Sequence, residues 1–284
     1  MPFTHQSING QILPKERALI PLTDIGMLRA YAIFDYFRVL DGMPVFIEDH
    51  LERLLRSART MDMAMPWDRD TIRGMIYELI AVNHAKKAGF RVVVTGGFSE
   101  DGFTPGKPNI YMMLHELPVY DPQDYVKGCK LITSAYMRDI PVVKTCIYVQ
   151  SLLVSKNMKE AGAVEVLYHW TGSITECSRS NMFFVTPEET LVTPKDGMLH
   201  GITRKQVLSI AADKGIPIEL REVHLEELPG FKEVFLTSST RGVLPIVQID
   251  TQIIGDGKPG AMTKMLRDAF EERVKEVIGK LIIH

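Results

Sequence analysis

Asp139-Ile-Pro-Val-Val-Lys-Thr-Cys-Ile-Tyr148 is the stretch from which the rest of the chain is read. Lys144 follows a proline-anchored apolar turn and precedes uncharged residues, not the Glu/Lys/Arg mixture of an exposed helix. A surface lysine at a helix start is the ordinary interpretation. Its neighbours Val142, Val143, Thr145, Cys146 and Ile147 point instead to burial, and an unpaired lysine is rarely buried without a chemical role. One such role is to hold an aldehyde cofactor as a Schiff base, which requires partner groups elsewhere in the chain.

The 284 residues suffice for two modest domains or one large one. With 45% hydrophobic and 24% charged residues, the composition is that of an ordinary globular protein with a sizeable core. The 33 basic and 35 acidic side chains leave a formal net charge of -2 with no polybasic run. That balance argues against nucleic acid or an anionic membrane as partner. The 3 cysteines (Cys129, Cys146, Cys177) lack metal-ligand spacing, so a reduced, cytoplasmic setting without disulfides or a metal is expected. No signal peptide and no apolar run of membrane-spanning length is expected either.

Ser7 to Ile12 has the signature of a hairpin around Asn9-Gly10, and Phe34 to Ile47 that of another around Asp41-Gly42. Apolar stripes predict a helix from Glu48 (Leu51, Leu54, Leu55, Ala58) and one from Asp68 or Asp70 (Ile72, Met75, Ile76, Leu79, Ile80). Strands are expected over 90–97 and 109–116, separated by a polar Gly/Pro loop. Residues 118–128 combine prolines and acidic residues and are the best linker in the chain. The expected organisation is a domain over 1–119, a linker over 120–128 and a second domain over 129–284. The second interleaves short strands with a helix over 147–161, a helix from Thr203 to Lys214 closed by Gly215, and a last helix over 259–278.

Glu176, in Gly172-Ser-Ile-Thr-Glu-Cys-Ser-Arg-Ser-Asn-Met-Phe-Phe184, is a carboxylate between two strand-like segments. It either pairs with Arg179 as a structural residue or holds a proton on a pyridine nitrogen. Leu199-His-Gly-Ile-Thr-Arg204 opens a helix whose free N–H groups suit a phosphate, although a routine helix start reads the same way. Thr237-Ser-Ser-Thr-Arg-Gly242 adds hydroxyls after a strand. Arg53 offers a charge to the same phosphate or stays a solvated helix arginine.

Taken in order, these segments resemble the fold-type IV pyridoxal-phosphate enzymes, the class IV aminotransferases. The matching motifs are Phe34-Asp35, His50-Leu-Glu-Arg-Leu54, Lys144, Thr175 to Phe183, Gly201-Ile-Thr-Arg204, Phe235 to Thr240 and Gly255-Asp-Gly-Lys-Pro-Gly260, spread over nearly the whole chain. The resemblance implies an α+β fold with a small α/β N-terminal domain, a larger pseudobarrel C-terminal domain carrying the lysine, and a homodimer. It implies pyridoxal 5′-phosphate with Lys144 as Schiff-base lysine and Glu176 as partner of the ring nitrogen. Arg53, Ile202, Thr203, Ser239 and Thr240 match phosphate binders, and Leu199 matches the apolar residue under the ring.

Within that family the chain is most similar to the D-amino-acid and branched-chain aminotransferases, and it departs from both. The Arg-x-His carboxylate clamp of the former is missing from Gly96 to Pro105. The strand arginine of the latter is replaced near Val93, and its Gly-Gly-Asn-Tyr run by Thr145-Cys-Ile-Tyr148. Arg29, Arg91 and Arg179 stand in unexpected places and are candidates for a rebuilt clamp, with Arg38 behind them. The expected activity is ping-pong transfer of an amino group between a D-amino acid, such as D-glutamate or D-alanine, and a 2-oxo acid such as 2-oxoglutarate. A branched-chain L-amino-acid aminotransferase, an aminodeoxychorismate lyase and a non-enzymatic phosphate-ligand binder are the alternatives.

Overall fold

A computed structural model describes residues 3–283. The chain forms two compact units: Met1–Pro118 with Val143–Ile147 and Lys275–His284, and Val119–Val142 with Tyr148–Val274.

The first unit opens with the hairpin β1 (His5–Ile8) and β2 (Gln11–Pro14). Its turn residues Asn9 and Gly10 have φ of 53° and 86°, the left-handed backbone that an Asn-Gly turn supplies. A short helix, α1 (Ile25–Arg29), is capped by Asp24, whose carboxylate accepts the Gly26 N–H. Then come β3 (Ala32–Leu40), β4 (Met43–Pro44), α2 (Ile47–Thr60), α3 (Arg69–Val82), β5 (Lys87–Thr95) and β6 (Asn109–His115). The sheet order is β2-β1-β6-β5-β3-β4. One face buries Ile33, Phe37, Val39, Phe90, Val92 and Val94 against Leu51, Leu54, Ile72, Ile76 and Leu79 of α2 and α3. Strand alternation turns Phe34, Tyr36, Arg38 and Arg91 to the other face.

The sequence boundary assigns Lys144 to the C-terminal domain, whereas its segment groups with the first unit. The reason is backbone pairing: Val143–Ile147 occupies the edge of β3 that β5 leaves open. Phe34 N–H donates to the Lys144 carbonyl (2.9 Å) and Cys146 N–H to the Ala32 carbonyl (3.1 Å). Val143 is fully buried in the first core.

The second unit contains α4 (Gln123–Lys127), β7 (Cys129–Ala135), α5 (Val149–Leu153), α6 (Ser155–Glu160), β8 (Glu165–Trp170), β9 (Ser173–Cys177), β10 (Asn181–Val185), β11 (Leu191–Pro194), α7 (Ile202–Asp213), β12 (Ile218–Arg221), β13 (Glu233–Ser238), β14 (Gly242–Ile249) and β15 (Gln252–Ile253). Helix α8 (Ala261–Ile283) begins here, and its residues from Lys275 group with the first unit. The sheet runs β12-β11-β10-β13-β14-β7-β8-β9, with β15 beside β14. Its apolar core includes Leu131, Leu167, Met182, Phe184, Val192, Leu236 and Leu244.

Two expectations need correction. The linker stretch carries a helix, α4, within the second unit. The helix expected over 147–161 is two short ones that meet at Val154, with Val149, Leu152 and Leu153 exposed at 62%, 70% and 71%. Their apolar character does not face this chain's core. No described helix is long and apolar enough to cross a membrane.

Candidate active site

The candidate residues divide between the two units. In the first, Phe34 on β3 lies beneath two cations: Lys144 Nζ at 4.6 Å and the Arg91 guanidinium carbon at 4.9 Å from the ring centroid. Arg91 also lies 5.5 Å from the Tyr36 ring, its cross-strand neighbour. Among the described residues the Arg91 guanidinium has no carboxylate partner and no side-chain hydrogen bond, and it rests on these two rings. A guanidinium held on aromatic faces without an acid leaves its fork of donors open to an incoming carboxylate. Gly89 makes the arrangement possible, since a Cβ there would fall 1.8 Å from Tyr36 Oη. Burial pushes the Cys146 thiol up, against the opposing charges of Arg91 and Lys144.

Arg53 is not a solvated helix arginine. It is 3% exposed and clasps Asp35 with both Nε (2.9 Å) and Nη2 (2.7 Å), while His50 Nδ1 shares Asp35 Oδ1 at 2.7 Å. Burial alone would raise the Asp35 carboxyl. The charge of Arg53, helped by His50, overrides it and holds the group well below the usual carboxylate range. Burial also depresses His50, against the pull of Asp35, so the imidazole is neutral near pH 7 and donates through Nδ1–H. Arg29, at the end of α1, is exposed, with Nη1 donating to the Leu28 carbonyl.

In the second unit Glu176 is 5% exposed on β9. Its Oε1 accepts from Arg138 Nε (2.7 Å) and Nη2 (2.6 Å), and its Oε2 accepts from the Leu199 N–H (3.0 Å). Arg179 is therefore not its partner. That side chain is exposed, and its backbone N–H donates to the buried Glu165. Sequence reasoning missed Arg138; its one signal was a lone arginine just beyond a strand, in Tyr136-Met-Arg-Asp139.

Leu199 is 8% exposed, and Asn181 Nδ2 donates to its carbonyl (2.7 Å). Helix α7 begins two residues after His200, with Ile202 and Thr203 buried in its first turn and no side chain capping it at Gly201. Gly201 is required for packing: a Cβ there would sit 2.0 Å from Asn181 Oδ1. Ser239 and Thr240 follow β13. Tyr120 Oη donates to Thr240 Oγ1 (3.0 Å), and Arg241 stacks on the Tyr120 ring at 4.0 Å.

These second-unit residues fit a phosphorylated pyridine. An uncapped helix end presents N–H groups to an anion. Thr237 Oγ1 is buried without a hydrogen-bond partner, and Thr237 pairs across the strands with Asn181, which packs on Gly201. Its side chain thus shares the sheet face that carries the start of α7. Glu176, ion-paired to Arg138, is a fixed anion of the kind a protonated ring nitrogen needs.

The family model of amino-transferase class IV matches residues 32–249. A Methanocaldococcus jannaschii protein provisionally named a branched-chain-amino-acid aminotransferase is 28% identical over 273 residues, 93% of this chain and 94% of the relative. The D-alanine aminotransferase of Listeria monocytogenes serotype 4b is 26% identical over 283 residues, 96% of this chain and 97% of the relative. A branched-chain amino acid aminotransferase from T.th., solved with pyridoxamine 5′-phosphate, superimposes with a TM-score of 0.88 at 25% identity, covering 96% of this chain and 94% of that one. The fold is the mixed α+β fold-type IV architecture, and the chain belongs to the class IV aminotransferases, enzymes that use pyridoxal 5′-phosphate to exchange amino groups between amino and oxo acids.

Proposed function

We propose that this chain is a D-amino-acid transaminase with 2-oxo acids such as 2-oxoglutarate as acceptors, working as a homodimer. The observation that carries the reading is the pair of cations on Phe34: Arg91, lacking any acidic partner among the described residues, beside Lys144. Bound pyridoxal phosphate supplies an aldehyde that captures amino groups and a ring that accepts electrons. Lys144 would anchor it and serve as the base for the proton at the substrate Cα. Glu176 would hold the ring nitrogen, with Arg138 fixing that carboxylate in place. Leu199 would supply the apolar surface for the ring. The first-turn N–H groups of Ile202 and Thr203, the hydroxyls of Ser239 and Thr240, and Arg53 would hold the phosphate.

Arg91 grips the substrate carboxylate, with Arg29 and Arg179 as further cations. The exposure of Arg29 beside exposed Leu19, Leu22 and Met27 (72%, 78% and 69%) supports a second copy of the chain covering that surface. D-alanine and branched-chain relatives match at nearly equal identity, so identity does not choose between them. Both carboxylate patterns are lost, the branched-chain one near Val93 and after Lys144 and the Arg-x-His clamp between Gly96 and Pro105; the D-specific reading takes Arg91 as the replacement for that clamp.

A half-reaction tests it. D-glutamate, D-alanine, L-glutamate and L-leucine are added separately to the cofactor-loaded protein and the cofactor spectrum is followed. Conversion to the amine form by the D-acids is expected; conversion by L-leucine alone would establish the branched-chain reading instead. Arg91→Leu should raise the KM for amino and oxo acid about tenfold or more, the weight of one charge-assisted hydrogen bond. Pyruvate released from aminodeoxychorismate in many-fold excess over the enzyme, with no added oxo acid and no conversion of the cofactor to its amine form, would mark a lyase.

A further inference from the structure

Arg204, in the first turn of α7, is 7% exposed. Its Nε donates to Thr193 Oγ1 (3.2 Å) and its Nη2 to the Pro194 carbonyl (3.0 Å), both neutral acceptors on β11. Among the described residues no carboxylate lies within salt-bridge distance, although buried charges are ordinarily paired. Burial lowers the guanidinium to about 10, which still leaves it cationic at neutral pH. The adjoining helix end is itself electropositive and carries no capping side chain. Thr237 Oγ1 is orphaned on the same sheet face. A buried cation, an open helix N-terminus and a partnerless hydroxyl together form half of a charge pair.

We propose that Arg204 is a further buried counter-charge of the cofactor's phosphate, in addition to Arg53. It acts through space and through the helix end it pins to β11, and it makes this site select a phosphate dianion over a neutral alcohol. The proposal rests on the reading that the start of α7 holds the phosphate. Arg204 is thus a positioning and charge-balancing residue, not one that touches the reacting atoms. The dianion supplies the negative charge that the protein withholds from this guanidinium.

The test compares pyridoxal 5′-phosphate with pyridoxal, each titrated into the full-length cofactor-free protein. The wild-type chain should prefer the phosphorylated form strongly. Arg204→Gln should weaken pyridoxal 5′-phosphate on the order of tenfold or more while moving pyridoxal by less than about twofold. Arg204→Lys should recover most of the difference. Thr193→Val removes an anchoring acceptor but no charge, and should leave the ratio of the two affinities unchanged. A measurement on the unaltered holoenzyme stands beside these: ³¹P NMR should show the bound phosphate dianionic well below its ordinary second pKa of about 6.

Equal weakening of both ligands in Arg204→Gln, or a bound phosphate that protonates at its ordinary pH, would overturn the proposal. If the wild-type chain itself does not distinguish the two ligands, the phosphate reading of α7 fails. If it distinguishes them and Arg204→Gln still does, only the role of Arg204 fails.

Discussion

Asp35→Asn should destabilise the first unit severely, because it removes the one anion between Arg53 and His50. Asp35, His50 and Arg53 are 1%, 3% and 3% exposed, so water cannot replace the lost charge. The guanidinium loses a bidentate carboxylate at 2.9 and 2.7 Å and faces an amide that offers one acceptor oxygen. Stranding a buried cation in this way costs about 3–5 kcal/mol. With a urea dependence of about 3 kcal/mol/M for a unit of this size, the midpoint should fall by roughly 1–1.7 M. Trp67 packs against the first core, whereas Trp170, 54% exposed, belongs to the second unit. Urea titration by Trp67 fluorescence in a Trp170→Phe background therefore follows the right unit. The double variant Asp35→Asn/Arg53→Met, which also removes the stranded cation, should regain much of the loss. A midpoint for Asp35→Asn within about 0.2 M of wild type would refute the reasoning, since a charge pair worth its desolvation cannot be deleted from one side at no cost.

Acid should weaken the same unit in two stages. The depressed imidazole of His50 refuses a proton that the unfolded chain accepts below about pH 6.5, so stability begins to fall there, and His50→Gln should abolish this upper stage. The depressed carboxyl of Asp35 contributes stability present in full above about pH 4 and lost as pH falls through its lower native value; urea midpoints measured across pH read both. Gly89→Ala should drive the Tyr36 ring off β5, because the new Cβ would lie 1.8 Å from its Oη and 2.5 Å from its Cζ. The displaced ring no longer shelves Arg91, and KM for amino and oxo acid should rise several-fold with unfolding changed by less than about 1 kcal/mol, read by steady-state kinetics and urea titration.

Local chemistry was enough to place much of this molecule. Asn9-Gly10 announces its hairpin, the 3.6-residue stripes of α2 and α3 announce their buried faces, and Gly215 announces the end of α7. Glu176, Lys144 and the start of α7 stand out in the sequence as candidates because their residue types are unusual for the segments that carry them. Tertiary structure alone decided who partners whom. Arg138, far from Glu176 in sequence, reaches it, while nearby Arg179 does not. Backbone pairing with β3 takes Lys144 into the first unit, and strand order seals Arg204 among neutral acceptors. The apolar residues of α5, Val149, Leu152 and Leu153, stand exposed, which the helix expected over 147–161 did not reveal. Periodicity and capping act over a few residues, so a sequence displays them. Charge pairing and burial depend on strand register and on neighbours distant in the chain, and only folding brings those together.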